Sequence, residues 1–141
     1  MKPVFVESKI ILAVIGLIVF CYSRALAEDW KLFKETVDAK FYYDTKDVAR
    51  LPQKMVSVWI KQVYTKKGKT DMVNLVGPRY ENLGYAINEL QFDCGAKKVR
   101  FLAMTYYSKN DDVLDLENPS EKWEPITPNS MFDTLHNKVC R

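Results

Sequence analysis

The sequence predicts an α+β fold, namely a mainly antiparallel β-sheet with a C-terminal helix that one disulfide tethers to it. Three observations lead to this prediction. Short segments of alternating apolar residues recur between turn-forming residues, an amphipathic segment with helical spacing closes the chain, and a cysteine lies in each kind of element. The 141 residues allow one domain after a short leader, and 48% hydrophobic with 28% charged residues is a globular composition.

Residues 1–27 have the pattern of a cleaved signal peptide. A basic start precedes an uncharged apolar run of eleven residues, which as a helix spans about 16 Å, roughly half of a ~30 Å hydrocarbon core. No permanent membrane span is therefore expected. Ala25 and Ala27 are the small residues that signal peptidase requires, so Glu28 is the expected mature N-terminus. Cys21 leaves a lipid anchor as an alternative, although a bulky residue precedes it.

Residues 28–141 are predicted to form the single mature domain, exported to the periplasm or the cell surface. Removal of the leader leaves 18 basic and 17 acidic residues, a net charge of +1. Two cysteines remain, and an even pair in an exported chain predicts a disulfide between Cys94 and Cys140. This bridge closes a loop of about 47 residues and contributes about 4 kcal/mol in the chain-entropy model.

Three strands are predicted in the first half of the domain. Trp30–Thr36 and Lys40–Asp44 are short and aromatic-rich, and a turn near Asp38 joins them. Lys54–Tyr64 carries apolar residues on both faces without glycine or proline, which indicates a central strand. The alternation then disappears, and residues 65–83 are predicted as a loop with at least one helical turn.

Three further strands are predicted in the second half. Tyr85–Cys94 alternates between apolar and polar residues, which predicts a strand with one wet face. Lys98–Ser108 and Val113–Leu116 flank the turn-forming residues 109–112 and are predicted as a hairpin. Because a small domain needs large apolar side chains, three tryptophans are expected in the core: Trp30, Trp59 and Trp123.

A helix is predicted at the C-terminus. Thr127 can cap it, Pro128 suits its first position, and apolar residues recur at intervals of four up to Val139. Cys140 lies near the end of this helix and Cys94 lies on the inward face of a strand. The disulfide would therefore staple the helix onto the sheet.

The sequence carries no recognisable catalytic or cofactor motif. No two glycines are closer than seven residues, whereas phosphate-binding loops and nucleophile elbows need closer pairs. A single histidine excludes the two-histidine metalloprotease motifs. The net charge of +3 is far below that of a dedicated nucleic-acid-binding protein. Catalysis, a cofactor and a nucleic-acid partner are therefore not expected.

One pair of residues has metal-ligand spacing. His136 and Cys140 lie four residues apart on the predicted helix and can present two ligands to one metal ion. Because Cys94 is the expected covalent partner of Cys140, no metal site is predicted, and His136 is expected at the surface or at the helix end. Asp133 near His136 suggests half of a hydrolytic triad, but no serine has a recognisable nucleophile context.

A compact basic segment is the candidate ligand-binding site. Lys66, Lys67 and Lys69 surround Gly68, and such a tip attracts heparin-like polyanions or anionic lipid headgroups. An ordinary soluble loop is the alternative. If the lysines do not bind a ligand, the alternative binding surface is the aromatic surface around Tyr42, Tyr80 and Tyr107.

The order of several motifs resembles a known family. The most specific part is the terminal pattern W-x-x-I-x-P-x-S followed by V-C, formed by Trp123, Ile126, Pro128, Ser130, Val139 and Cys140. The mature chain resembles the surface-adhesin protein E-like family of bacterial exported domains. The resemblance implies an antiparallel sheet with a disulfide-tethered helix and an adhesin that binds host matrix or plasma proteins. An envelope structural or assembly factor without a soluble ligand is the alternative function.

The leader generates the first testable prediction. The exported protein should begin at Glu28, because the small residues two positions apart define a signal peptidase site. Intact-mass measurement of the protein recovered from the bacterial envelope checks this. A mature form that begins at a diacylated Cys21 would contradict it.

Overall fold

The computed structural model describes residues 28–141, and the predicted signal peptide lies outside this range. Within these residues, eight strands form one sheet, accompanied by two α-helices and one 3₁₀ turn. In chain order these are β1 (Trp30–Glu35), β2 (Ala39–Asp44), β3 (Ala49–Leu51), β4 (Met55–Tyr64), α1 (Lys66–Val76), the 3₁₀ turn (Pro78–Tyr80), β5 (Leu83–Asp93), β6 (Lys98–Ser108), β7 (Val113–Glu117), β8 (Glu124–Pro125) and α2 (Met131–Val139). None of the helices in the described range is long and apolar enough to cross a membrane.

The sheet is antiparallel throughout. Its main path runs β1-β2-β4-β5-β6-β7. The two shortest strands lie off this path, where β3 pairs with β4 and β8 pairs with β6. The long strands β4, β5 and β6 are therefore central, and shorter strands share their outer edges. The predicted fold class is confirmed.

One face of the sheet forms the core. The register pairs Val58 with Leu90 and Val56 with Phe92, so apolar side chains on β4 and β5 point to the same side. Helix α2 covers this side at one end and buries Leu135 completely. At the other end, α1 and the 3₁₀ turn cover a second cluster of buried residues on the same face: Tyr80, Leu83, Ala86 and Tyr106.

The disulfide between Cys94 and Cys140 is present, as the sequence predicts. Cys94 directly follows β5 and Cys140 directly follows α2, and their Cα atoms are 5.6 Å apart. Edge-to-face contact between Phe132 and Phe101, with ring centroids 5.7 Å apart, holds the first turn of the same helix on β6. The helix is thus attached to the sheet near both of its ends.

Residues 65–83, predicted as a loop with at least one helical turn, contain the three-turn helix α1. The start of the second predicted helix needs correction. The C-terminal helix begins at Met131, and its N-cap is Ser130, whose hydroxyl accepts a hydrogen bond from the Asp133 amide at 3.2 Å. Thr127 cannot be the cap because Asn129 has a φ of 62°, a left-handed conformation that interrupts any helix begun earlier. The short strands β3 and β8 were not predicted.

The tryptophan prediction is wrong. Trp30, Trp59 and Trp123 are all half-buried and belong to neither core cluster. Alternation along β4 directs Trp59 away from Val58 and therefore toward the face that neither helix covers. Trp123 lies under the guanidinium of Arg100 on that face, with 4.5 Å between the guanidinium carbon and the ring centroid.

The disulfide generates the second prediction. Cys94→Ser with Cys140→Ser should lower the free energy of unfolding by about 2–5 kcal/mol, because the long loop is no longer closed in the unfolded chain. Denaturant unfolding of the variant and the oxidised wild type measures the loss. Non-reducing peptide mapping is the control that the wild type carries the bridge. Equal unfolding midpoints would contradict a structural role.

Candidate functional site

The basic segment forms the first turn of α1. Thr65 caps this helix, because its hydroxyl oxygen accepts a hydrogen bond from the Gly68 amide at 3.2 Å. The same hydroxyl donates to the Val37 carbonyl at 2.7 Å, and the Thr65 amide donates to the Asp38 carbonyl at 2.9 Å. The start of the helix is therefore fixed to the turn between β1 and β2.

Gly68 is required by close packing against that turn. It is buried, and a Cβ atom at this position would overlap the carbonyl oxygen of Asp38. The absence of a side chain allows the helix backbone to approach the turn. Gly68 therefore marks a contact between two backbone segments and does not mark a loop tip.

The three predicted lysines have different surroundings. Lys67 forms ion pairs with Asp38 at 3.0 Å and Asp71 at 2.6 Å, and hydrogen bonds to these two carboxylates, Asp71 foremost, raise the pKa of Lys67. Within residues 28–141, Lys66 and Lys69 form no ion pair. Lys66 and Lys69 line the same pocket.

That pocket, of about 290 Å³, lies where α1 meets the end of the sheet. Lys109 joins Lys66 and Lys69 in its wall, together with Tyr64, Thr65 and Leu83. Lys109 comes from the turn between β6 and β7, where its amide donates to the Asn82 carbonyl at 2.9 Å. Burial raises the pKa of Tyr64, so its hydroxyl remains protonated and able to donate a hydrogen bond. The site, here named the lysine pocket, is thus lined by cations and donors.

Sequence reasoning missed Lys109. Its signal was indirect: in an antiparallel sheet the end of β4, the start of β5 and the end of β6 meet at one end, so the β6–β7 turn must approach the segment after β4. Lys109 is 43 positions from Lys66 in the sequence, and spacing along the chain cannot associate them.

An aromatic group lies near the lysine pocket on the uncovered face. The rings of Tyr85 and Tyr107 stack with centroids 4.9 Å apart, and the ammonium of Lys61 lies 4.5 Å from the centroid of Tyr85. Burial, followed by a 2.8 Å hydrogen bond to Asp111, raises the pKa of Tyr85 to about 12. The predicted aromatic surface must be corrected, because Tyr80 is 0% exposed and cannot contact a partner.

His136 lies in the last turn of α2, at the helix end as one of the two predicted positions requires, but the predicted surface position is wrong. The side chain is 6% exposed and lies edge-on to Phe92, with ring centroids 6.0 Å apart. The buried face of α2 comprises Leu135, His136 and Val139. His136 therefore lies on the side of the helix that packs against the sheet. Asp133 does not orient the imidazole; its carboxylate accepts a hydrogen bond from the Asn129 amide at 2.9 Å.

The fold defines a small α+β domain in which a disulfide holds a terminal helix against an antiparallel sheet. The family model described as Surface-adhesin protein E matches residues 30–141, and the chain belongs to this family. Among solved structures, crystal form II of Haemophilus influenzae protein E is similar, with a TM-score of 0.52 and 12% identity over 79% of this chain and 86% of that one. No curated protein matches the sequence.

The packing at Gly68 generates the third prediction. Gly68→Ala should destabilise the domain by about 1–3 kcal/mol, because the added methyl group must displace α1 from Asp38, and this overpacking outweighs alanine's better helix propensity. Gly95→Ala is the matched control, since its Cβ atom would have no neighbour closer than 3.6 Å. Thermal unfolding of both variants measures the difference. A Gly68→Ala variant as stable as Gly95→Ala would contradict the close contact.

Proposed function

We propose that the chain is a noncatalytic exported binding module that holds an anionic partner at the lysine pocket. The convergence of Lys66, Lys69 and Lys109, none of them ion-paired among the described residues, carries the proposal. Membership of a surface-adhesin family supports a binding role at the cell surface. The partner is an extracellular-matrix or envelope protein with an acidic patch, or a polyanion such as a glycosaminoglycan.

Local electrostatics favours an anion at this position. The N-terminus of a helix carries partial positive charge, and acidic residues normally occupy its first turn. The first turn of α1 has no acidic residue and contains three lysines. The repulsion among these charges is a local cost that a bound sulfate, phosphate or carboxylate would relieve.

The size and wall of the pocket suit one charged group of a larger partner. At about 290 Å³ it is at the lower limit of small-molecule sites, and it opens to solvent beside the exposed Lys66. The mature domain is nearly neutral, so attraction arises from this pocket and falls off over about 8 Å at physiological salt. Lys67 contributes less, because Asp38 and Asp71 already neutralise it.

The lysine pocket generates the fourth prediction. Lys66→Gln with Lys69→Gln and Lys109→Gln should weaken binding to immobilised heparin at least about tenfold, since each exposed charge contact contributes ~0.5–1 kcal/mol. Lys67→Gln alone should change the affinity by less than about twofold, because its charge is already compensated. Binding of the wild type should weaken as salt rises. Surface plasmon resonance at several salt concentrations measures these effects, and vesicles with anionic lipids replace heparin in a second series.

A matched control tests whether binding depends on the lysines of the pocket or only on the total positive charge of the domain. Lys97→Gln with Lys98→Gln and Lys122→Gln removes the same charge from exposed residues near the β5–β6 turn, at the opposite end of the sheet. This variant should bind heparin as the wild type does. Equal weakening in both triple variants would show that the pocket has no special role. Failure of the wild type to bind either heparin or vesicles would instead favour the alternative function, an envelope structural or assembly factor.

A further inference from the structure

The imidazole of His136 is an exception in a well-paired interior. It is 6% exposed, and neither ring nitrogen has a hydrogen-bond partner. Buried polar atoms in native proteins nearly always have a partner, so an orphaned pair of ring nitrogens requires an explanation. Its aromatic neighbour Phe92 offers no hydrogen-bond acceptor.

Two sulfur atoms near this imidazole can, like its ring nitrogens, serve as metal ligands. One ring nitrogen of His136 and the sulfurs of Cys94 and Cys140 all lie within 4.8 Å of one another. Helix α2 places His136 and Cys140 four residues apart on one face, and the Cys140 amide donates to the His136 carbonyl at 2.9 Å. Cys94 is held from the sheet side, where its amide donates to the Lys54 carbonyl at 3.0 Å.

We propose that Cys94, Cys140 and His136 form a redox-gated site for a thiophilic cation such as Zn²⁺. In the oxidised protein both sulfurs are used by the disulfide, and no metal binds. When a dithiol reductant delivers two electrons and two protons to the sulfur–sulfur bond, it becomes a disulfide itself and leaves two thiols beside the imidazole. Binding of the cation then releases both thiol protons, because the sulfurs coordinate as thiolates.

The geometry requires only a small adjustment. Tetrahedral zinc with bonds of about 2.3 Å to sulfur and about 2.0–2.1 Å to nitrogen places its ligand atoms roughly 3.5–3.8 Å apart. The reduced sulfurs separate from 2.04 Å to that distance, and the longest separation between the imidazole nitrogen and a sulfur, at most 4.8 Å, shortens by about 1 Å. Two thiolates and one imidazole leave the fourth position for water, which can enter through the opening lined by Asn137 and Arg141 beside the helix end.

The positive charges around the sulfurs favour the thiolate form, which is the form that binds a metal ion. Arg50 and Lys54 line the opening on the other side of the disulfide, together with both cysteines. Nearby cations stabilise thiolates, and two thiolates offset the charge of a divalent cation. The site lies at the end of β5 opposite the lysine pocket, so it is independent of the proposed anion-binding function.

Cobalt and zinc binding test this proposal. The mature protein is reduced with a dithiol, freed of reductant without oxygen, and titrated with Co²⁺. The reduced wild type should bind one ion per chain and show thiolate-to-cobalt charge-transfer bands, which Zn²⁺ abolishes. The oxidised protein should show neither. The absence of charge-transfer bands in the reduced wild type would overturn the proposal.

Two variants identify the ligands. His136→Gln retains both thiols and should bind at least about tenfold more weakly, since loss of even an outer-shell partner costs that much. Cys94→Ser with Cys140→Ser should lose the charge-transfer bands. Equal affinity in His136→Gln and the reduced wild type would contradict the three-ligand site.

A second measurement does not depend on the stability of the reduced metal-free protein. The wild type is reduced in the presence of Zn²⁺, passed through a desalting column and treated with an alkylating agent. We expect one retained zinc per chain and thiols that are alkylated at least about tenfold more slowly than in a sample reduced with a chelator present. Equal alkylation rates would overturn the proposal even if the reduced protein unfolds without metal.

Discussion

The antiparallel register between β4 and β5 is the constraint on which the rest of the structure depends. It pairs nine residues of β4 with nine of β5 and sets Val58 opposite Leu90, so every second side chain on both strands points to one face. A shift by one residue would send this apolar set to solvent. Both helices must therefore cover the same face, and Cys94, which directly follows β5, is bonded to Cys140 at the end of α2. The opposite face remains uncovered, with tryptophans and tyrosines packed among charged side chains.

This one-sided arrangement separates two chemically different ends. At the start of β5, α1 and the β6–β7 turn bring lysines together around a pocket. At the end of β5, the disulfide and the buried His136 lie beneath α2. A continuous sheet connects the two ends, and each end has its own chemistry.

Family membership and binding chemistry rest on different parts of the molecule. Fold similarity to a solved adhesin at 12% identity shows that the same architecture tolerates almost complete replacement of residues. Such a fold requires that apolar and polar residues alternate along its strands and that apolar side chains cover one face of the sheet. The three lysines of the lysine pocket lie at a helix start and in a hairpin turn, and core packing does not dictate the residue type at these three positions. The proposed binding of an anion therefore rests on this chain's own surface and not on the family fold.

Much of the fold could be predicted from local patterns. Period-two alternation identifies the long strands, and the cysteine count in an exported chain identifies the bridge between Cys94 and Cys140. Local patterns gave wrong predictions where the role of a residue depends on a contact with a part of the chain distant in sequence. Gly68 suggested a loop, yet it is a packing requirement against Asp38. Thr127 and Ser130 both have capping side chains, and the left-handed backbone at Asn129 decides between them.

The sequence by itself determined the fold class, the central strands, the disulfide and the existence of a local basic segment, because each depends on short-range periodicity or on counting. Only the tertiary structure decided which lysines converge, since Lys109 reaches Lys66 through the end of an antiparallel sheet. It also decided that His136 is buried beside two sulfurs and that the tryptophans lie outside the core. These outcomes depend on the rotation of a helix and on the face that it covers, which many residues far apart in the sequence set together.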